Sequence, residues 1–428
     1  MKKTIYILIV FYVHISWQTM AQIESTNVAL SQCIDAALIN NPSIKESEND
    51  ASISALGIKM AQSGLYPTVS IEGSGGISDQ YRLGNDYKIG TAKLTIDQLI
   101  WQKGKVKSVI EQTRFTKDAS IASLEARKQE LIVSVKKIYF TCLQQNQLYL
   151  VAQDNVSKAE LFLEYARERY KIGVGRKSDI LKAESDLAEA EFERDSYRNS
   201  LKQSQNELSM LTGLSDNNQS LLVDTWQVGN LETYNKQSDS LFAIAFKNYP
   251  ELQMINNLGL MQQAKIQETK AEFYPRIGVS AGYNWSYNPI VQKQNSWYSV
   301  VALRWNIFNG NEKRYRLQSE KIRRISYENQ ADEIKTFLIK EVSNCLISIK
   351  EAENQIVLTN KLMKTTSENL EIAKSQFNVG TGSMLELTDA RVKDLSAKQK
   401  NIQAMTTFQI AMANLERLIG NTNETPML

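Results

Sequence analysis

Tyr170–Lys177 reads YKIGVGRK, and Phe377–Met384, 207 residues further on, reads FNVGTGSM. Each places an aromatic three residues before the first glycine of a G-x-G pair, in a chain with only 19 glycines among 428 residues. A rare pattern written twice at a fixed interval marks an internal repeat. Other pairs keep the interval: Asn41-Pro42 with Tyr249-Pro250 and Leu65-Tyr66-Pro67 with Phe273-Tyr274-Pro275, both 208 apart. Ile100-Trp101 matches Ile307-Phe308, and Leu211-Thr212-Gly213 matches Leu418-Ile419-Gly420, both 207 apart. The chain reads as one unit written twice, over 22–214 and 239–421. A polar linker is expected at 215–238 and a disordered tail at 422–428.

Upstream of each glycine pair runs a heptad seam with steps of 4 and 3. In the first copy it passes through Leu131, Val135, Ile138, Cys142, Gln145, Tyr149, Ala152, Val156, Ala159, Leu163, Ala166 and Tyr170. The second copy repeats it from Leu338 to Phe377 in the same register. Seams resume beyond the glycines, from Ile180 to Leu211 and from Leu387 to Leu418, with Arg194, Asp394 and Asn401 as polar interruptions. Each G-x-G therefore reads as the turn of a long antiparallel helical hairpin. Gly173 and Gly380 suit the left-handed position that ends a helix, and Ser178 or Asp179 would cap the next one. The long helix, about 102–170, would measure roughly 100 Å, against roughly 50 Å for the return helix and 55 Å for a leading helix near 28–64. The two short helices would stack end to end beside the long one.

Between leading and long helices the period changes to two. Ile277, Val279, Ala281, Tyr283, Trp285 and Tyr287 alternate with polar or small residues, and Trp297, Val301, Leu303, Trp305 and Ile307 share a face after a turn. The first copy has counterparts after Pro67 and near 88–100. Each copy thus carries a β-hairpin of strands about 11 to 14 residues long, enough for a tilted membrane strand. Tyr283, Trp285, Tyr287, Trp297, Tyr298 and Trp305 would supply interfacial girdles. A soluble sandwich with one buried face fits the alternation equally. Four strands cannot close a barrel, and open edges do not survive in lipid, so membrane strands would have to be pooled between chains; three chains would give twelve.

Composition removes other classes. The net charge is +3, which gives no electrostatic case for nucleic acid. The N-terminus carries Lys2 and Lys3, an apolar run from Ile5 to Val13 and Thr19-Met20-Ala21, the pattern of a signal peptide over 1–21 cleaved before Gln22. Its removal would take with it His14, the only histidine. No Ser-His-Asp triad, Cys-His pair or His-ligated metal is then available. Cys33, Cys142 and Cys345 are odd in number and far apart, which argues against a disulfide framework. No P-loop and no C-x-x-C occurs, and no apolar run long enough for a membrane helix follows the signal. No catalytic residue, cofactor or metal is expected.

The doubled order of helix, hairpin, long helix, glycine turn and return helix resembles the outer-membrane efflux proteins, the TolC-like family. The resemblance rests on Ala36-Ala37-Leu38, Asn41-Pro42, Leu65-Tyr66-Pro67, Tyr170 to Gly173 with Asp179 to Ala183, and Phe377 to Gly380 with Leu385 to Ala390. It covers about residues 28–421. It implies a mainly α fold with membrane β, in which a homotrimer shares a twelve-stranded β-barrel set on a long α-helical coiled-coil barrel. The implied function is an exit duct of a tripartite efflux or type I secretion system in the bacterial outer membrane. Its helices would lie in the periplasm, docked to a periplasmic adaptor protein and an inner-membrane pump. Glu386 and Asp389 match the acids that ring the family's periplasmic entrance; the alternative is that they stabilise a helix N-terminus. Gating and adaptor docking fall by resemblance on Tyr170, Gly173, Gly175, Ser178, Asp179, Phe377, Gly380 and Gly382; Arg176 on the first turn is either a stand-in for the family's missing arginine or a solvated loop charge. Phe377 replaces the family's tyrosine and Gly382 its arginine, so the family's usual lock cannot form from those two positions. An exported coiled-coil structural or adhesive protein without a pore is the alternative. Nothing in the sequence separates drug, metal-ion and protein export.

Overall fold

The structure, a computed structural model, describes residues 29–79, 86–214, 238–288 and 292–420. The expected signal peptide, the tail and all of the linker except Ser238 lie outside the described residues. In chain order the elements are α1 (Leu30–Asn40), α2 (Pro42–Ser63), β1 (Thr68–Asp79), β2 (Asp86–Trp101), α3 (Lys105–Lys171) and α4 (Lys177–Thr212). The same order then repeats as α5 (Ser238–Asn248), α6 (Pro250–Ala271), β3 (Arg276–Asn288), β4 (Gln292–Arg304), α7 (Glu312–Asn378) and α8 (Met384–Ile419). Both long helices have 67 residues and both return helices 36.

One expectation changes here. The leading helix is two helices in each copy, broken before the proline. Asn41 is extended, with φ −67° and ψ 123°, and Tyr249 likewise, with φ −66° and ψ 116°. A proline ring clashes with a helical residue before it, and proline has no N–H to donate. The new helix therefore begins at the proline, where a missing N–H costs nothing.

The chain divides into two compact units. The first comprises Met1–Asn41, Ser134–Gly229 and Ile349–Ala411, and its described part consists of helices and the turns that join them. Seam positions form its core: Val135, Cys142, Ala152, Val156, Ala159, Leu163 and Ala166 of α3 are all buried, as are Ile349, Ala352, Ile356, Leu370 and Phe377 of α7. The many alanines let helices approach closely, and each larger apolar side chain taken from water contributes roughly 1.5–3 kcal/mol. The end of α4 meets the end of α1: Asn40 Nδ2 donates to the Thr212 carbonyl at 3.0 Å, and Gly213 turns left-handed with φ +68°.

The second unit comprises Pro42–Val133, Asn230–Ser348 and Met412–Leu428 and holds the sheet. Asn248 and Gly420 repeat the junction there, Asn248 Nδ2 lying 3.4 Å from the Ile419 carbonyl. The four strands pair antiparallel in the order β1-β2-β3-β4, so the two hairpins join through β2 and β3. Register lines up Ile71 with Leu94, Leu94 with Tyr283 and Tyr283 with Trp297, which gathers the apolar residues on one face. That face is open: Val69, Ile71, Ile77, Trp297, Val301 and Leu303 are 64–78% exposed. Nothing in the chain pairs with the outer edges of β1 and β4 among the described residues. Among the described residues no helix is long and apolar enough to cross a membrane.

Candidate functional site

The two glycine turns are built alike. In the first, Gly173 N–H donates to the Tyr170 carbonyl at 3.0 Å and Val174 N–H to the Arg169 carbonyl at 3.0 Å. In the second, Gly380 N–H donates to Phe377 at 3.2 Å and Thr381 N–H to Gln376 at 3.0 Å. These crossed bonds are the Schellman closure of a helix, which needs its hinge residue left-handed. Gly173 and Gly380 have φ +79° and +86°.

The second glycine of each pair has a different reason, which the sequence reading missed. A Cβ on Gly175 would stand 2.8 Å from the Tyr170 amide nitrogen and 2.9 Å from the Arg169 carbonyl carbon. On Gly382 it would stand 3.1 Å from the Phe377 nitrogen. The backbone folds back on the helix it has left, and only hydrogen fits at Gly175 without a shift.

The return helices start differently from expectation. Neither Ser178 nor Asp179 is the first cap of α4. That place falls to Arg176, extended at φ −103° and ψ 148°. Asp179 serves from three residues inside, accepting the Arg176 N–H at 3.3 Å, and Ser178 is exposed in the first turn. At α8 the reciprocal arrangement is complete. Ser383 N–H donates to the Glu386 carboxylate at 2.9 Å and Ser383 Oγ accepts the Glu386 N–H at 3.2 Å. These bonds, the backbone one foremost, hold the Glu386 carboxyl below its ordinary range. Asp389 lies exposed on α8 beside Lys393 at 2.8 Å. An exposed pair of this kind contributes little to stability, and the Lys393 ammonium offsets part of the Asp389 charge.

The two aromatics part company. Tyr170 is 48% exposed, whereas Phe377 is 3% exposed, in a core cluster with Phe162, Leu163, Ala183, Leu370 and Leu387. Arg169, the residue before Tyr170, reaches across. Its Nη1 donates to the Phe377 carbonyl at 2.7 Å, and its guanidinium lies 4.7 Å from the Phe377 ring centroid.

Behind the turns lies a polar cluster that the sequence reading did not single out. Asp186, Asn155, Thr388 and Arg391 are each at least 93% buried. Thr388 Oγ1 donates to Asp186 Oδ2 at 3.0 Å, Arg391 Nη1 donates to Asn155 Oδ1 at 2.9 Å, and Arg391 Nη2 stands 3.8 Å from Asp186 Oδ2. Lys182 completes the other Asp186 oxygen at 2.7 Å. Burial lowers the Arg391 pKa, while Asp186, Glu189 and Glu193 of α4 pull it back up. A second group joins Asp394, 3% exposed, to Lys398 at 2.8 Å and Lys158 at 3.9 Å. The polar interruptions at Asp394 and Asn401 are therefore buried and partnered: Asn401 donates to Thr359 Oγ1 and Asn360 Oδ1. A signal was present in the sequence. Positions one repeat apart carry opposite charges, Glu184 against Arg391 and Asp186 against Lys393.

In the sheet, Tyr283, Trp285, Tyr287 and Trp297 share the open apolar face and are 46–78% exposed. Tyr298 falls on the opposite face, since it pairs with Gly282 and its ring occupies the space above that glycine. Trp305 lies just beyond β4, its indole N–H donating to the Phe273 carbonyl at 3.1 Å.

Comparison with known proteins matches this architecture. The profile of the outer membrane efflux protein family fits residues 33–214 and 245–421. The toluene efflux pump outer membrane protein TtgC of Pseudomonas putida is 23% identical over 416 residues, covering 92% of this chain and 83% of that protein. The outer membrane protein TolC of Escherichia coli is 20% identical, covering 100% and 88%. Among solved structures, the CmeC outer membrane channel of Campylobacter jejuni superposes with a TM-score of 0.80 at 16% identity, covering 92% of this chain and 87% of that one. VceC of Vibrio cholerae gives 0.77 at 14% identity, covering 91% and 96%. With both copies matched by the profile, over most of its length, the chain belongs to the outer membrane efflux protein family.

Proposed function

We propose that this chain forms, as a homotrimer, the outer-membrane exit duct of a tripartite efflux or type I secretion system. It conducts substrates passively from a periplasmic adaptor and an inner-membrane pump to the outside. The observation that carries this reading is the sheet, whose apolar face and two edges are all open in one chain. Lipid suits the face, and only strands from other copies suit the edges. Three copies give twelve strands, an even antiparallel number. Passage through a duct needs no catalytic group, which agrees with a family of channels rather than enzymes.

At the turns, Asp389 is the residue that sets ion preference. Its carboxylate is exposed, and in a trimer it occurs three times, an arrangement that favours cations. Glu386 is the weaker contributor, because Ser383 already engages its carboxylate. The exposed turn residues around Gly173, Gly175, Arg176 and Gly380 supply the adaptor contact.

The test is single-channel recording in planar bilayers with protein extracted from outer membranes, wild type beside Asp389→Asn. Small cation-selective steps that lose their preference in the variant support both duct and ring. Unchanged steps keep the duct and leave Asp389, which lies beyond the first turn of α8, as a surface partner of Lys393. A soluble, monomeric protein without conductance leaves an exported coiled-coil structural protein as the better account.

A further inference from the structure

We propose that Arg391 and Asp186 form a clasp that fixes the rotation of α8, and with it the direction of the Asp389 carboxylate. The proposal rests on Asp389 being a conduit residue. Thr388 and Arg391 sit three apart on α8, so they share a face; both are buried, and Asp389 between them is exposed. Both converge on one carboxylate oxygen of Asp186, and Arg391 also holds Asn155 of α3. One face of α8 is thereby tied to two helices of the first copy at the level of the acid.

The apolar cluster around Phe377 and Leu387 sets which face of α8 is buried; the clasp fixes the angle within that face. Apolar contacts are non-directional, whereas the hydrogen bonds of the clasp hold one geometry. One residue step around a helix swings a side chain by about 100°, which would carry Asp389 off its bearing. A buried guanidinium tolerates no such slip. Turned away from Asp186 and Asn155, it would lose its polar partners, with only the fields of Glu189 and Glu193 to offset its charge. Thr388, Arg391, Asp186 and Asn155 are positioning residues in this scheme.

The duplication makes the point independently. One repeat away, these four positions hold Leu181, Glu184, Lys393 and Leu362. No member of the clasp keeps its type. The set exists once, between the copies, and the two charged positions have reversed sign. That divergence gives the first hairpin a complement in the second which neither hairpin offers to itself.

The experiment records conductance and reversal potential in a salt gradient for the full chain in planar bilayers. It compares wild type, Arg391→Leu, Arg391→Lys, Thr388→Val and Asp389→Asn. Arg391→Leu should change conductance about twofold or more and weaken cation preference, with a smaller change in Thr388→Val. Arg391→Lys should stay nearer wild type. Thr388→Val removes one hydrogen bond without changing shape, so it folds where Arg391→Leu fails. Variants that conduct as wild type while melting earlier reduce the cluster to packing and overturn the proposal. So does a selectivity change in Arg391→Leu alongside an indifferent Asp389→Asn. A wild type with no conductance defeats the duct itself.

Discussion

At the first turn the leading aromatic, Tyr170, is 48% exposed; at the second its counterpart Phe377 is 3% exposed. Backbone closure is the same at both, with the same crossed bonds and the same left-handed glycine. Duplication supplied one frame twice, and divergence of side chains decided what each frame holds. The first presents its aromatic to solvent. The second buries its aromatic in the core it shares with the first hairpin, and Arg169 of the first turn closes over it.

The largest test of that difference is a pair of truncations. Phe377→Ala should cost about 3–5 kcal/mol of local stability, as for a buried aromatic, and Tyr170→Ala about 0.5 kcal/mol or less. Amide hydrogen exchange over both turns reads the two directly; equal losses would erase the distinction. Next come the second glycines. Gly175→Ala forces a methyl group against backbone atoms and should cost about 1–3 kcal/mol, whereas Gly382→Ala, whose methyl would meet the Phe377 nitrogen at 3.1 Å, should cost less. Arg169→Ala removes a charged donor from the Phe377 carbonyl, worth about 1.5–3 kcal/mol, and its effect should appear in exchange at the second turn rather than the first.

The smallest effect concerns Glu386. Its pKa is depressed by the Ser383 bonds, so the support it lends to α8 is present above its ordinary pKa. That support fades as pH falls through the depressed value. Glu386→Gln should flatten that acid limb in helix-start protection, and an unchanged limb would assign it elsewhere.

The legibility of the sequence followed the physics of each element. Heptad spacing located the helical core because it depends only on period; Val135, Ala166, Leu387 and Leu415 are all buried where the seam put them. Tyr170 escaped, while Phe377 at the matching seam position is buried with Arg169 over its ring; in a last turn, burial depends on what packs against it and not on period. Period alone also ran through Asn41-Pro42, where a steric rule overrides it. Alternation placed Tyr283, Trp285 and Trp297 on one face, but Tyr298 was grouped with them by composition when its parity puts it on the other. The buried Asp186–Arg391 cluster was hardest to see. A lone charged residue on a helix reads as a solvated face, and only the paired charges one repeat apart betray its burial.

The open sheet has a consequence for biogenesis. A single newly exported chain carries a greasy sheet surface with two unsatisfied rims, the form most prone to edge-to-edge aggregation. If closure needs strands from other copies, it depends on their meeting, so assembly yield should rise steeply with local chain density. Dilute, isolated chains would then accumulate as the aggregating species, and the cell must hold or deliver them in company.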